Sequence, residues 1–439
     1  MVEGKRGRIF LSIVLIFAVP IFILAIRALD VILSIMTLLF MILMYYTNEI
    51  EPEPYREMDL KKLKIDIFLW SLLPMIFGAF GAARIIDLHF YFVFRDVAFT
   101  ALTSIFAFTI MLNMDSHTDF RPNRFFTVSF IVVSTIGVGT IFGMIRFVSD
   151  RYLDTGYLGG NTHLMVYLLI VVLAGVIIGI NFRDYIISYE FFPSTNLGSD
   201  FRTVDDFSNH RKEFLKVLNS LFRRYDDKYS MFISRILQIA IFVIVVYGFM
   251  IGRWVIFSWA VFSLIFAVSP DLFKINTGDR APSLLYLWIA LVTFIYAFGR
   301  PMGFYRDYTW WPGITHFLTG TLVSVLVFSL LVYLGKISKN LYIPFYLIPL
   351  IVLLSIFPVG VSWEISEFFV DIFFNRRLQA GIQDTVLDIF CNFAGVALSL
   401  IIIYFLNGGW TLEERGKGYN PIDFIKGRAD KFLKAVHLK

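Results

Sequence analysis

Apolar runs long enough to cross a bilayer recur from one end of the chain to the other, and no other sequence feature restricts the fold so strongly. A spanning helix needs about 20 mostly apolar residues. Runs of that length read as spanning helices. Reading them in order gives about twelve spans, at 9–26, 31–46, 67–83, 97–112, 126–147, 164–180, 233–250, 255–273, 284–298, 314–334, 344–369 and 385–406. The expected fold is an all-α, polytopic transmembrane helical bundle in contact with the lipid bilayer.

Composition agrees. Of 439 residues, 58% are hydrophobic and 17% charged, against about 45–50% apolar and 25% charged in soluble domains. The net charge of +5 needs no nucleic-acid partner, because Lys and Arg accumulate in cytoplasmic loops of membrane proteins. Cys391 is the single cysteine, which excludes disulfide frameworks and thiolate metal sites. Lys5, Arg6 and Arg8 precede the first run, but that run is long and lacks a small-residue cleavage site, so it reads as an uncleaved span.

The chain divides into an N-terminal transmembrane half, 1–180, a cytoplasmic connection, 181–230, a C-terminal transmembrane half, 231–406, and a basic tail, 407–439. Apolar and basic residues alternate at helical spacing over 207–225, which suits a helix on an anionic surface or a solvated linker helix. Each half reads as two spans, a charged connection and four spans. Ala79-Phe80-Gly81 matches Ala297-Phe298-Gly299 in place, and Ala174-Gly175-Val176 matches Ala394-Gly395-Val396, a pattern compatible with a degenerate six-plus-six repeat. The lysines lie at the N-terminus, in alternate loops and in the tail. The positive-inside rule then predicts a multi-pass plasma-membrane protein with both termini cytoplasmic.

Three of the last apolar runs carry ionisable residues, and one charged side chain at mid-bilayer costs about 2.5–3.5 kcal/mol on insertion scales. His316 and Gly320 share a helix face, as do Glu364, Glu367 and Asp371, and so do Asp384, Asp388, Asn392 and Gly395. The last stripe is polar and then small, as expected where another helix packs closely. Carboxylates about 4 Å apart repel by roughly 4 kcal/mol at an effective dielectric near 20. Protonation, a neighbouring arginine or a bound cation would relieve this. Glu364, Glu367, Asp384 and Asp388 are the candidate ligands of a divalent cation, Mg²⁺, Mn²⁺, Ca²⁺ or Zn²⁺. His316, Glu364, Glu367 and Asp388 are candidate catalytic residues, His316 or a carboxyl serving as acid or base. Arg306, Arg376, Arg377 and Asn392 are candidate substrate contacts, the arginines as a phosphate clamp and Asn392 by orienting a neighbour. Each has a plainer reading: an interhelical hydrogen bond for His316, snorkelling for Glu364 and Glu367, an N-cap for Asp384, and interface anchoring for Trp310 and Trp311.

His316-Phe317-x-x-Gly320, Trp363-Glu364-x-x-Glu367 and Asp384-Thr385-x-x-Asp388-x-x-x-Asn392-x-x-Gly395 together resemble the pattern of VanZ-like membrane proteins and of the related YjdF-type inner-membrane proteins. The chain departs from the VanZ-like pattern at Trp311-Pro312, where Asp-Lys is usual, and at Glu367-Phe368, where Gln often follows Glu closely. The resemblance implies a compact helical core and a setting at the cell surface, where the family is linked to glycopeptide-antibiotic resistance.

The expected function is an enzyme acting on a lipid-linked or cell-envelope substrate, at a phosphate or glycan bond. The rivals are a proton- or cation-coupled transporter and a non-catalytic envelope factor that binds a surface ligand. The chain carries no Walker A sequence, H-E-x-x-H, G-x-S-x-G or dinucleotide fingerprint, which argues against nucleotide-driven pumping.

Overall fold

The structure, a computed structural model, describes residues 31–49, 62–72, 76, 88–117, 120, 122–156, 158–188, 214–219, 228–277, 280–337, 341–343, 347–375 and 378–406. The expected first span, most of the third, most of the surface helix at 207–225, Arg376, Arg377 and the basic tail lie outside these residues.

The described residues are mostly helical, with no strand among them. The helices are α1 (Val31–Glu49), α2 (Leu88–His117), α3 (Arg124–Leu153), α4 (Asn161–Ser188), α5 (Lys228–Met250), α6 (Trp254–Thr277), α7 (Ser283–Gly299), α8 (Phe304–Asp307), α9 (Trp311–Ile337), α10 (Leu347–Phe374) and α11 (Ile382–Leu406). Eight of them (α2 to α6 and α9 to α11) are long and apolar enough to cross a membrane, and α7 is a shorter apolar helix. The expected count of about twelve is therefore not confirmed; the described residues supply eight candidate spans.

Two compact units divide the chain. The first comprises Met1–Thr195, Ser338–Pro344 and Phe357–Val386, and the second Asn196–Ile337, Phe345–Ile356 and Leu387–Lys439. The division falls inside α10 and α11, so each of these helices contributes residues to both units.

In the first unit α2, α3 and α4 pack on one another. Asn123 caps α3 by accepting the Phe126 amide at 2.8 Å. Gly175 of α4 sits against Ile136 and Thr135 of α3, each 3.4 Å from where its Cβ would lie. Asp96 of α2 and Arg146 of α3 form a fully buried ion pair at 2.6 Å. The Arg146 guanidinium lies over the rings of Phe142 and Tyr167, at 4.7 and 4.4 Å from their centroids. Neither charge was expected to pair from the sequence, because they stand 50 residues apart.

In the second unit α5, α6 and α7 pack around Ile241, Ala260, Ala267 and Ala297. Small alanines let the helices approach, and a polar group is then satisfied across them: Gln238 donates to the Ala267 carbonyl at 2.7 Å. Arg235 of α5 binds both oxygens of Asp271 of α6, each at 2.6 Å. Tyr286 of α7 donates to Asp271 at 3.2 Å and lies under the guanidinium, 5.3 Å from its centroid. Both units thus join an arginine and an aspartate from consecutive long helices over a tyrosine from the third. That arrangement keeps the charges paired in an apolar setting.

Candidate functional site

The site begins with a helix crossing in the second unit. A Cβ at Gly320 of α9 would overlap the Asn392 carbonyl oxygen of α11, and one at Gly395 would overlap the Phe317 carbonyl oxygen. Gly313 likewise faces the Cys391 Sγ, at 3.1 Å from where its Cβ would lie. Ser399 donates to the Thr321 carbonyl at 3.4 Å. The contacts 313/391, 317/395 and 321/399 advance together, so α9 and α11 run parallel, with their starts at the same end. Close approach of this kind needs small residues on both faces, and it places the polar residues that precede each glycine opposite one another.

His316 is the residue so placed. Its Nδ1 lies 2.9 Å from the Asn392 Nδ2, and its Nε2 lies 3.6 Å from an Asp388 carboxylate oxygen. All three side chains are buried. With the Asn392 amide donating to Nδ1, the ring carries its proton on Nε2, directed at Asp388. A half-turn of that amide turns Oδ1 to the ring, moves the ring proton to Nδ1 and frees the Nε2 lone pair for a cation. Asn392 therefore governs which chemistry the imidazole offers.

His316 and Asp388, both buried in the second unit, could offer an imidazole nitrogen and a carboxylate oxygen to a metal ion. That pair of ligand types suits Zn²⁺ or Mn²⁺, with bond lengths near 2.0–2.2 Å for Zn²⁺.

In the first unit the carboxylates are held by a polar turn between α10 and α11. The Gln379 side-chain amide donates to the Glu364 carbonyl at 2.9 Å and to its Oε2 at 3.0 Å. Asn161, at the start of α4, donates to the Gln379 Oε1 at 2.8 Å, and Thr385 donates to Asn161 at 3.4 Å. Asp371 accepts the Leu378 and Gln379 amides at 2.7 and 3.1 Å. Asp384 accepts the Ala380 amide at 2.9 Å, which ties the first turn of α11 to the segment before it. Glu367 is buried and accepts from the Trp363 indole at 3.2 Å.

Of the expected ligands, Asp388 lies beside His316 in the second unit, and Glu364, Glu367 and Asp384 belong to the first. Arg306 is exposed and bonded to Asp307 at 2.7 Å. The hydrogen bond and charge of that guanidinium hold the Asp307 carboxyl below the usual carboxylate range. Gln379 and Asn161 escaped the sequence reading. Neutral amides at the rim of apolar runs carry no charge signal, and their pairing spans 218 residues.

The model of the family described as "Predicted membrane protein (DUF2238)" matches residues 232–409, the stretch that runs from α5 through α11. No curated protein and no solved structure matches the chain. The match supports a membrane-protein family over the C-terminal part of the chain.

Proposed function

We propose that this membrane protein is a metal-dependent enzyme acting at a phosphate group of a lipid-linked or cell-envelope substrate. The observation that carries this reading is the buried imidazole–carboxylate pair of His316 and Asp388, with Asn392 on the far ring nitrogen of His316. A charged cluster inside apolar helices is costly and is retained for a use, and a second hydrogen bond on the imidazole is the usual support of a metal-ligating histidine. A divalent cation held there would polarise a phosphoryl oxygen or activate a water molecule. In this reading Asp388 supplies charge and His316 binds through Nε2. The VanZ-like resemblance fits an envelope substrate, and Arg306, Arg376 and Arg377 are the candidates for gripping its anionic part.

The full-length protein in detergent is loaded with Mn²⁺ or Zn²⁺, and bound metal is measured after removal of excess. Phosphate release from a polyprenyl pyrophosphate in mixed micelles is followed in parallel. Wild type is expected to retain metal and to release phosphate only when loaded, with D388N weakening metal binding by tenfold or more. A wild-type protein that retains no divalent metal overturns the metal reading. Uptake into sealed vesicles that follows a proton gradient would instead establish a carrier.

A further inference from the structure

α6 carries a proline inside its helix, at Pro270. With no N–H, that residue cannot donate to the carbonyl of Phe266, and its ring crowds the turn before it. Helices bend and open at such points. In the second unit the neighbouring helices grip α6 on both sides of this break. Gln238 of α5 donates to the Ala267 carbonyl at 2.7 Å, just before the proline. One turn away on α5, Arg235 holds both oxygens of Asp271, just after the proline, at 2.6 Å each. The two α5 side chains are themselves joined, Arg235 donating to the Gln238 Oε1 at 2.7 Å. Tyr286 of α7 donates to Asp271 at 3.2 Å.

The two grips differ in kind. The apolar core shared by α5, α6 and α7 draws on Ala260, Leu264 and Ala267 of α6, all of which precede Pro270. Gln238 is buried. The Arg235 and Asp271 side chains are instead 42% and 25% exposed, so water competes for their charges. A segment held through polar bonds that solvent reaches, next to a missing helical bond, opens at lower cost than one held by buried apolar contacts. The Arg146–Asp96 pair of the first unit makes the contrast. Its side chains are 2% and 3% exposed, and neither α2 nor α3 contains a proline. That pair is a fixed staple.

We infer that Pro270 is a hinge in α6 and that the Arg235–Asp271–Tyr286 network is the latch across it, so that residues 271–277 open and close as a unit while the rest of α6 stays packed. Release of Asp271 leaves α5 bonded to the Ala267 carbonyl through Gln238, and the opening therefore stops at the proline. The hinge is independent of the His316 site and stands whether or not that site takes a cation.

Amide hydrogen exchange of the full-length protein in dodecyl maltoside reads the segment directly. D271N removes the charge that Arg235 holds, and R235Q removes the guanidinium. Either is expected to speed exchange over 271–277 by about tenfold or more, with 254–266 as protected as in the wild type. P270A restores the missing donor, so it is expected to fold and to slow exchange over 271–277. In P270A/D271N the loss of the latch should then cost far less protection than in D271N alone. The inference is overturned if D271N and R235Q leave 271–277 protected, if they speed exchange equally along α5, α6 and α7, or if P270A leaves the effect of D271N undiminished.

Discussion

The carbonyl oxygen of Asn392 occupies the space that a side chain at Gly320 would need. Backbone therefore touches backbone where α9 meets α11, one turn from His316. Ala at 320 or at 395 must drive the two helices apart, because the atom in the way belongs to the main chain and has no rotamer to adopt. Overpacking of this kind costs about 1–3 kcal/mol. G320A and G395A are each expected to lower Tm in detergent, and to weaken metal retention because His316 is drawn away from Asp388 and Asn392. Unchanged Tm in both would show that the crossing is looser than described.

Asn392 acts on the imidazole from behind. N392A leaves the His316 Nδ1 buried without its 2.9 Å partner, a loss of about 1–3 kcal/mol in stability. Loss of the outer hydrogen bond on a ligating histidine also weakens metal binding by about 10–100-fold. Mn²⁺ affinity and Tm measured on the same preparation separate the two effects. If Tm falls and affinity holds, Asn392 is a packing residue alone.

The sequence disclosed the helices more fully than their neighbours. Long apolar runs have no alternative to helix in a bilayer, so α2 to α6 and α9 to α11 were legible as spans. The four-residue spacing of Asp384, Asp388 and Asn392 followed by Gly395 showed a polar face ending in a close contact. Which acids gather was not legible. Glu364 and Glu367 share a helical stripe, yet Glu364 accepts from Gln379 across the turn while Glu367 accepts from Trp363 on its own helix. Helical spacing fixes which residues share a face but not which of them a neighbouring helix reaches. The same limit hid the Arg146–Asp96 pair and the Gln379–Asn161 bond, whose partners are brought together only by packing.

Arg146 and Asp96 are nearly inaccessible to solvent, with side chains 2% and 3% exposed. Removing one partner leaves an uncompensated charge, which costs about 3–5 kcal/mol. D96N and R146Q are each expected to be severely destabilised or to express poorly. The double variant R146M/D96L removes both charges and should recover most of that loss, since an apolar pair of similar volume is often neutral. The half-exposed Arg235–Asp271 pair should show a smaller effect under D271N. Equal losses in the single and double variants would mean that the ion pair itself is not what matters.

Arg306 offers a control in which stability and binding come apart. Its pair with Asp307 is exposed, at 83% and 46% of the two side chains, so solvent screens it and little stability rests on it. The Asp307 carboxyl lies below its ordinary range, because Arg306 donates to it and lends it positive charge. A depressed carboxylate pKa contributes stability above the unfolded value, about 3.9, and loses it as pH falls through the lower folded value. Between about pH 5 and 8 the contribution is constant and, being screened, small, so R306A is expected to shift Tm little and by the same amount across that interval. Against this flat background a rise in KM for phosphate release, with kcat retained, identifies Arg306 as a substrate contact. An unchanged KM removes it from the site, and an altered Tm at neutral pH would show that the α8 turn depends on the pair after all.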